Sequence, residues 1–314
     1  MRIQMQANKE KTLKIAFDEF LRLKKVKRVS NETLRYYNEC FRYFLEYLED
    51  DVPSVEINQN TILGYLEYLQ EKKAGVSDIT VNTYLSGIRT ILYFCMSQGY
   101  TSKFQISLIK AQKPLKETYS DAELEKLLKK PNIKNCSFSE YRNWVIICYL
   151  LGTGNRRLTV CNLKISDIDF EMHEVKLQVV KNKKPYKIPI SPFLEKTLQE
   201  YLTYRKGNPD DYLFCTAYGR QLTPDGLNTC IQKYNISREV TKKGIHLFRH
   251  TFAKKWILNK GDPFRLQAIL GHGTMDMVKE YVEMFGKDLQ KDFEIFNPLD
   301  NMECVKKSNG HIKI

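Results

Sequence analysis

The sequence predicts a mainly α-helical chain in two domains, the second carrying a small β-sheet. Three observations lead there. Apolar residues recur at helical spacing through the first hundred positions, a basic stretch broken by Pro114 interrupts them, and one region around Val175 switches to strand-like alternation. At 314 residues the chain has room for two cores of ordinary size.

The first domain, residues 1–108, reads as a bundle of four helices. One runs from about Lys11 to Lys25. A second is capped by Ser30 and carries Leu34, Tyr37, Phe41, Phe44, Leu45 and Leu48 three or four residues apart, ending where Asp51, Pro53 and Ser54 break it. A third uses Ile62, Leu63, Tyr65, Leu66 and Leu69. The fourth uses Tyr84, Leu85, Ile88, Ile91, Leu92 and Cys95, with Gly99 placed to end it. Residues 109–118 have the composition of an exposed linker. The second domain, 119–296, opens on a helix with capping-box spacing between Ser120 and Glu123, and Tyr141 to Leu151 reads as a buried helix. Ile168 and Phe170, then Val175, Leu177 and Val179, and finally Tyr186, Ile188 and Ile190 alternate with polar residues. These form a hairpin with Lys181, Asn182, Lys183 and Lys184 at its tip. Helical segments continue to about residue 294, and 297–314 is a polar tail.

Composition narrows the function classes. A 42% hydrophobic, 28% charged chain builds globular cores, and no run approaches the roughly 18 unbroken apolar residues of a membrane span. The start lacks the apolar region of a secretory signal, so a cytoplasmic location is expected. Eight cysteines without a CxxC pair read as reduced, mostly buried thiols rather than a disulfide framework or metal site. The net charge of +13 points to a polyanionic partner, of which nucleic acid is the usual one.

Four short segments carry chemistry. They are Thr153-Gly154-Asn155-Arg156, the lysine hairpin, the run His246-Leu247-Phe248-Arg249-His250, and Leu270-Gly271-His272, with Tyr281 nine residues further on. Each has a plain structural explanation when taken alone: a solvated arginine, a soluble hairpin tip, a structural histidine, one tyrosine among 19. In this order and at these intervals they resemble the tyrosine recombinase (phage integrase) family. Its pattern is TGxR, a hairpin lysine, HxxRH, LGH, and a tyrosine nine residues after the LGH histidine. The resemblance covers about residues 118–294. The four-helix segment before it looks like the family's SAM-like core-binding domain. The TGxR pattern selects Arg156 over Arg157. The family's lysine lies eight positions before the strand proline, which from Pro189 gives Lys181, with Lys183 and Lys184 as substitutes. One departure is Thr159, which stands where the family has an acid and puts an orienting contact in doubt.

The resemblance implies an α+β tyrosine-recombinase catalytic domain that cuts and rejoins DNA through a 3′-phosphotyrosyl intermediate at Tyr281. The chemistry suits the residue types. Phosphoryl transfer depends on positioning and charge stabilisation, and two guanidiniums, here Arg156 and Arg249, fork onto the non-bridging oxygens. His246 is a proton acceptor or phosphate ligand and His272 a hydrogen-bond donor. Lys181 is the general acid for the leaving 5′ oxygen. No cofactor, metal or ATP is implied. The partners implied are duplex DNA at a specific site and further copies of the chain, as a dimer on each duplex and a tetramer in synapsis. In the family the segment after the tyrosine, here Phe285 to Phe296 with Leu289, Phe293 and Ile295, often docks on a neighbouring protomer; the alternative is packing on its own domain. A start close to the core-binding helices suits the short two-domain Xer-like and transposon types. Two alternatives stay open: a catalytically silent DNA-binding protein of the same fold, and a type IB topoisomerase-like activity.

Overall fold

The computed structural model describes residues 11–72, 76–111, 116–178, 185–271 and 273–285. The chain divides between Leu115 and Lys116 into two compact units.

The first unit holds α1 (Leu13–Val26), α2 (Asn31–Leu48), α3 (Gln59–Lys72) and α4 (Asp78–Ser97). Ser30 caps α2 as expected, its side chain accepting from Thr33 N at 3.3 Å, and Thr12 does the same for α1. Gly99, at φ +73°, follows α4 and lets Tyr100 N reach back to Cys95 O at 2.9 Å. The core is aromatic: Phe17 stacks on Phe41 with ring centroids 3.8 Å apart, and Phe20, Phe44, Tyr65, Leu85 and Ile88 close around them. Leu63, counted in the apolar stripe of α3, faces solvent, because it lies one position off the line through Ile62, Tyr65 and Leu69.

The second unit is built on α6 (Phe138–Thr153), in which every residue from Tyr141 to Leu150 is buried. A helix buried on all sides must be surrounded. Accordingly α6 packs against α5 (Asp121–Leu128), α8 (Pro192–Arg205), α9 (Pro224–Ser237) and α10 (His246–Leu258). The short α7 (Arg157–Asn162) follows α6, while α11 (Pro263–Leu270) and α12 (Asp276–Phe285) pack on each other and on α10. The capping box of α5 forms, with Glu123 Oε2 accepting from Ser120 N at 2.7 Å and Ser120 Oγ accepting from Glu123 N at 3.3 Å. A three-stranded antiparallel sheet has the order β1 (Ile168–Asp169), β2 (Glu174–Leu177), β3 (Tyr186–Pro189), in the register Ile168↔Val175 and Val175↔Ile188. Val175, Leu177 and Ile188 point into the core, while Lys187 faces solvent. β1 ends at Asp169, short of the expected Phe170. Val179, the lysine tip, and everything expected beyond Phe285 lie outside the described residues.

Both ends of the stretch read as an exposed linker are pinned. The Asn82 side chain bonds both the N–H and the carbonyl of Ile109, at 3.0 and 2.8 Å, and Lys242 Nζ donates to Thr118 O at 2.8 Å. Composition does not reveal such contacts, because the partners are remote in sequence. Among the described residues no helix is long and apolar enough to cross a membrane.

Two substitutions weigh these elements. Ile147→Ala, in the middle of α6, is expected to lower unfolding free energy by about 2–5 kcal/mol, against about 1 kcal/mol for Ser120→Ala at the exposed start of α5. The check is the urea midpoint of each variant at unchanged slope.

Candidate active site

Arg156 sits at a sharp change of direction. Gly154 closes α6 in the left-handed region (φ +62°), its N–H returning to Leu150 O at 2.9 Å. A side chain at 154 would also collide with Phe252 and Leu270, 2.6 and 2.8 Å from an ideal Cβ. Asn155 is buried and donates to Tyr149 Oη at 2.7 Å, which fixes the turn. Arg156 is then the extended N-cap of α7, half-buried, with Nη1 3.4 Å from Leu270 O.

The next contributor is α10. Arg249, one turn from its start, is buried and donates to Gly154 O at 2.8 Å and to Leu270 O at 2.9 Å. The two guanidiniums therefore share the Leu270 carbonyl, at the C-terminus of α11, where main-chain oxygens lack helical partners and the helix dipole is negative. Burial first, and then the charge of Arg156, pull the Arg249 pKa down to about 10, which still leaves it protonated at neutral pH. His246 is exposed in the first turn of α10. Its pKa is lowered by desolvation first, then by Arg249, Arg157 and Arg156, which favours the neutral imidazole.

Tyr281 lies on α12, only 1% exposed, in an apolar cluster with Ala253, Leu266, Leu270 and Val278. Its phenol oxygen is 2.5 Å from His250 Nδ1. Lys116 Nζ lies 4.4 Å from the centroid of the Tyr281 ring and 2.5 Å from Glu280 Oε2. Burial pushes the Tyr281 pKa up to about 12, with Arg249 pulling the other way and Glu280 adding to the rise. Burial, followed by Lys116, His246 and Arg249, depresses His250 to about 4. A neutral phenol thus faces a neutral imidazole. When the phenol donates to Nδ1, the ring proton stands on Nε2.

Of the six residues singled out in the sequence, Arg156, Arg249, His246 and Tyr281 gather around α10 and the end of α11. Lys181 and His272 lie outside the described residues. Thr159 is buried and lines a small cavity with Asp167, Leu177 and Gln178. The Asp167 carboxylate accepts from Lys164 N at 2.8 Å and from Gln178 Nε2 at 2.7 Å. A buried acid from the following turn therefore stands near the position where the family's acid is missing. Sequence reading assigned no role to His250, Lys116 or Asp167. The first had a usable signal: His246 and His250 are four apart on a helix and share a face. Lys116 had none.

The pH response of this site has a defined sign. The folded state holds His250 neutral down to about pH 4, whereas the unfolded chain takes up its proton near 6.5. The stability attached to this group is complete above about pH 6.5 and is lost as pH falls towards about 4. The wild-type melting temperature should therefore fall more steeply across that window than that of His250→Gln, as measured by thermal unfolding in matched buffers.

Residues 117–287 match the phage integrase family, and residues 12–113 match the phage integrase SAM-like domain. A tyrosine recombinase XerD of Oceanobacillus iheyensis is 25% identical over 300 residues, spanning 91% of this chain and 99% of that protein. A XerC of Anoxybacillus flavithermus is 28% identical over 288 residues, spanning 85% and 91%. In fold, the chain is similar to the Tn1549 transposon integrase in complex with a circular intermediate DNA, with TM-score 0.71 at 22% identity, covering 86% of this chain and 94% of that one. It is also similar to a lambda integrase dimer bound to a core site, with TM-score 0.67 at 17% identity, covering 85% and 97%. With over half its length matched by the family pattern and most of the remainder by the SAM-like domain, the chain belongs to the phage integrase family.

Proposed function

We propose that the chain is a site-specific DNA recombinase of the integrase and transposase type, with Tyr281 as its nucleophile. The observation that carries this reading is the convergence of Arg156 and Arg249 on one carbonyl beside α10, whose His250 holds Tyr281. Two guanidiniums a few ångströms apart repel one another and gain when a phosphodiester comes between them. Arg156 and Arg249 then bind the non-bridging oxygens and stabilise the charge that builds as Tyr281 attacks; losing either costs about 100- to 1,000-fold in rate. His246 accepts the phenol proton or binds the phosphate, His272 donates to the phosphate, and Lys181 protonates the leaving 5′ oxygen. The bond from phosphorus to the 5′ oxygen breaks as the bond to Tyr281 forms, and the reverse attack by a 5′ hydroxyl rejoins the strand. Charge stabilisation comes from the arginines, so no step is assigned to a metal or ATP.

Tyr281 must leave its apolar pocket to reach DNA. At a pKa of about 12 it is ionised to only about one part in 100,000 at pH 7, so departure and deprotonation belong to the same activation. The partners are duplex DNA at a specific site and further copies of the chain, a dimer on each duplex and a tetramer in synapsis. The DNA complexes of the Tn1549 integrase and of lambda integrase, the latter as a dimer on a core site and as a tetramer on a Holliday junction, support that assignment. The proposed location is the cytoplasm, at the nucleoid if the source is bacterial.

The test uses a library of randomised duplexes in EDTA without ATP, quenched with detergent, so that covalent capture selects the site. Attachment of protein to a 3′ phosphate, abolished in Tyr281→Phe, is the expected result. Attachment that survives the substitution rejects this nucleophile, and binding without attachment favours a silent DNA-binding protein. Affinity for the selected site should fall about 1,000-fold or more between about 50 and 200 mM salt for about 6–10 phosphate contacts.

A further inference from the structure

The C-terminus of α11 receives a third side chain that the chemistry above leaves without a role. Tyr186, the first residue of β3, donates its hydroxyl to Ile269 O at 3.3 Å, one carbonyl before the one that takes Arg156 and Arg249. Donors from β3, from the N-cap of α7 and from α10 thus meet on two successive carbonyls. The Tyr186 ring lies against the turn that ends the helix. Gly271 is left-handed (φ +59°), and an ideal Cβ there would stand 2.6 Å from Tyr186 Oη and 2.8 Å from Cζ. Tyr186 is half-buried, and its pKa is raised by burial while Arg249 and Arg156 pull it back. It is therefore a neutral donor within the field of both guanidiniums.

We infer that Tyr186 is a positioning residue for the arginine pair: by holding the Ile269–Gly271 turn it fixes the Leu270 carbonyl, and with it the reach of Arg156 and Arg249 towards the non-bridging oxygens of the cleaved phosphate. This rests on the recombinase reading. A displacement of the pair by a fraction of an ångström changes its fit to the phosphate while leaving its charge untouched. The effect belongs in the rate of cleavage rather than in DNA affinity, which many other phosphate contacts share.

The experiment is single-turnover cleavage of the captured site, made once with the natural phosphodiester and once with a methylphosphonate at the cleaved bond. In the methylphosphonate one charged non-bridging oxygen is replaced by methyl, so the phosphorus is neutral and the guanidiniums have less charge to stabilise. Tyr186→Phe should cleave the natural duplex about 10-fold more slowly, with a Kd within about twofold of wild type. On the methylphosphonate that deficit should shrink to about threefold or less. An equal deficit on both duplexes, or none on the natural one, overturns the inference while cleavage by the wild type upholds the recombinase reading. A wild type that cleaves neither duplex overturns both. If Phe at 186 lowers the melting temperature, both duplexes are compared well below that melting point: a deficit confined to the natural substrate supports positioning, and an equal deficit on both rejects it.

Discussion

Two permanently charged groups share one uncharged acceptor at the end of α11. Arg156 and Arg249 repel one another, yet both turn towards Leu270 O, and Arg249 does so from a buried position. The arrangement holds because the carbonyls at a helix C-terminus carry partial negative charge and need donors. Most of the second unit serves it. The buried α6 ends where Gly154 turns the chain, α10 packs on α6 and delivers Arg249 to the Gly154 carbonyl, and α11 stops where its last carbonyls face both. In the proposed reaction the cations are in place before a phosphate arrives, so little reorganisation is left for the chemical step.

Tyr281 is kept apart by weaker forces. Its ring fills an apolar pocket, its hydroxyl has one acceptor in His250, and Lys116 lies over the ring while pairing with Glu280. A net hydrogen bond contributes about 1 kcal/mol, and partly exposed ion pairs contribute less. Most of the hold therefore comes from apolar contact with Leu266, Leu270 and Val278. Two layers result: an arginine pair held by main-chain carbonyls, and a proposed nucleophile whose release breaks a handful of contacts with α10, α11 and Lys116.

The parts of the fold and of the site that read clearly in the sequence are those set by local spacing. Ser30 and the Ser120–Glu123 pair announced their helix starts, since a cap depends on three or four consecutive residues. The alternation at Val175 and Ile188 gave the strands. Arg156, Arg249 and Tyr281 stood out through fixed intervals. What could not be read depends on facing and depth. The Tyr281 side chain is sealed by residues of α10 and α11, and nothing around position 281 states that they close over it. Lys116 looked like one more linker charge because Glu280 is over 160 positions away. Leu63 went wrong the other way, since an apolar residue one step off a helical stripe cannot be told from its neighbours by composition.

Gly154 has a role beyond allowing its turn. Phe252 of α10 and Leu270 of α11 both press on the face where a side chain would begin. A single hydrogen atom is thus the spacer that sets how closely two helices approach the end of a third. Enlarging it by one carbon would spread the guanidiniums and the carbonyl they share, so a catalytic geometry can be lost here through bulk alone, with every charge still present.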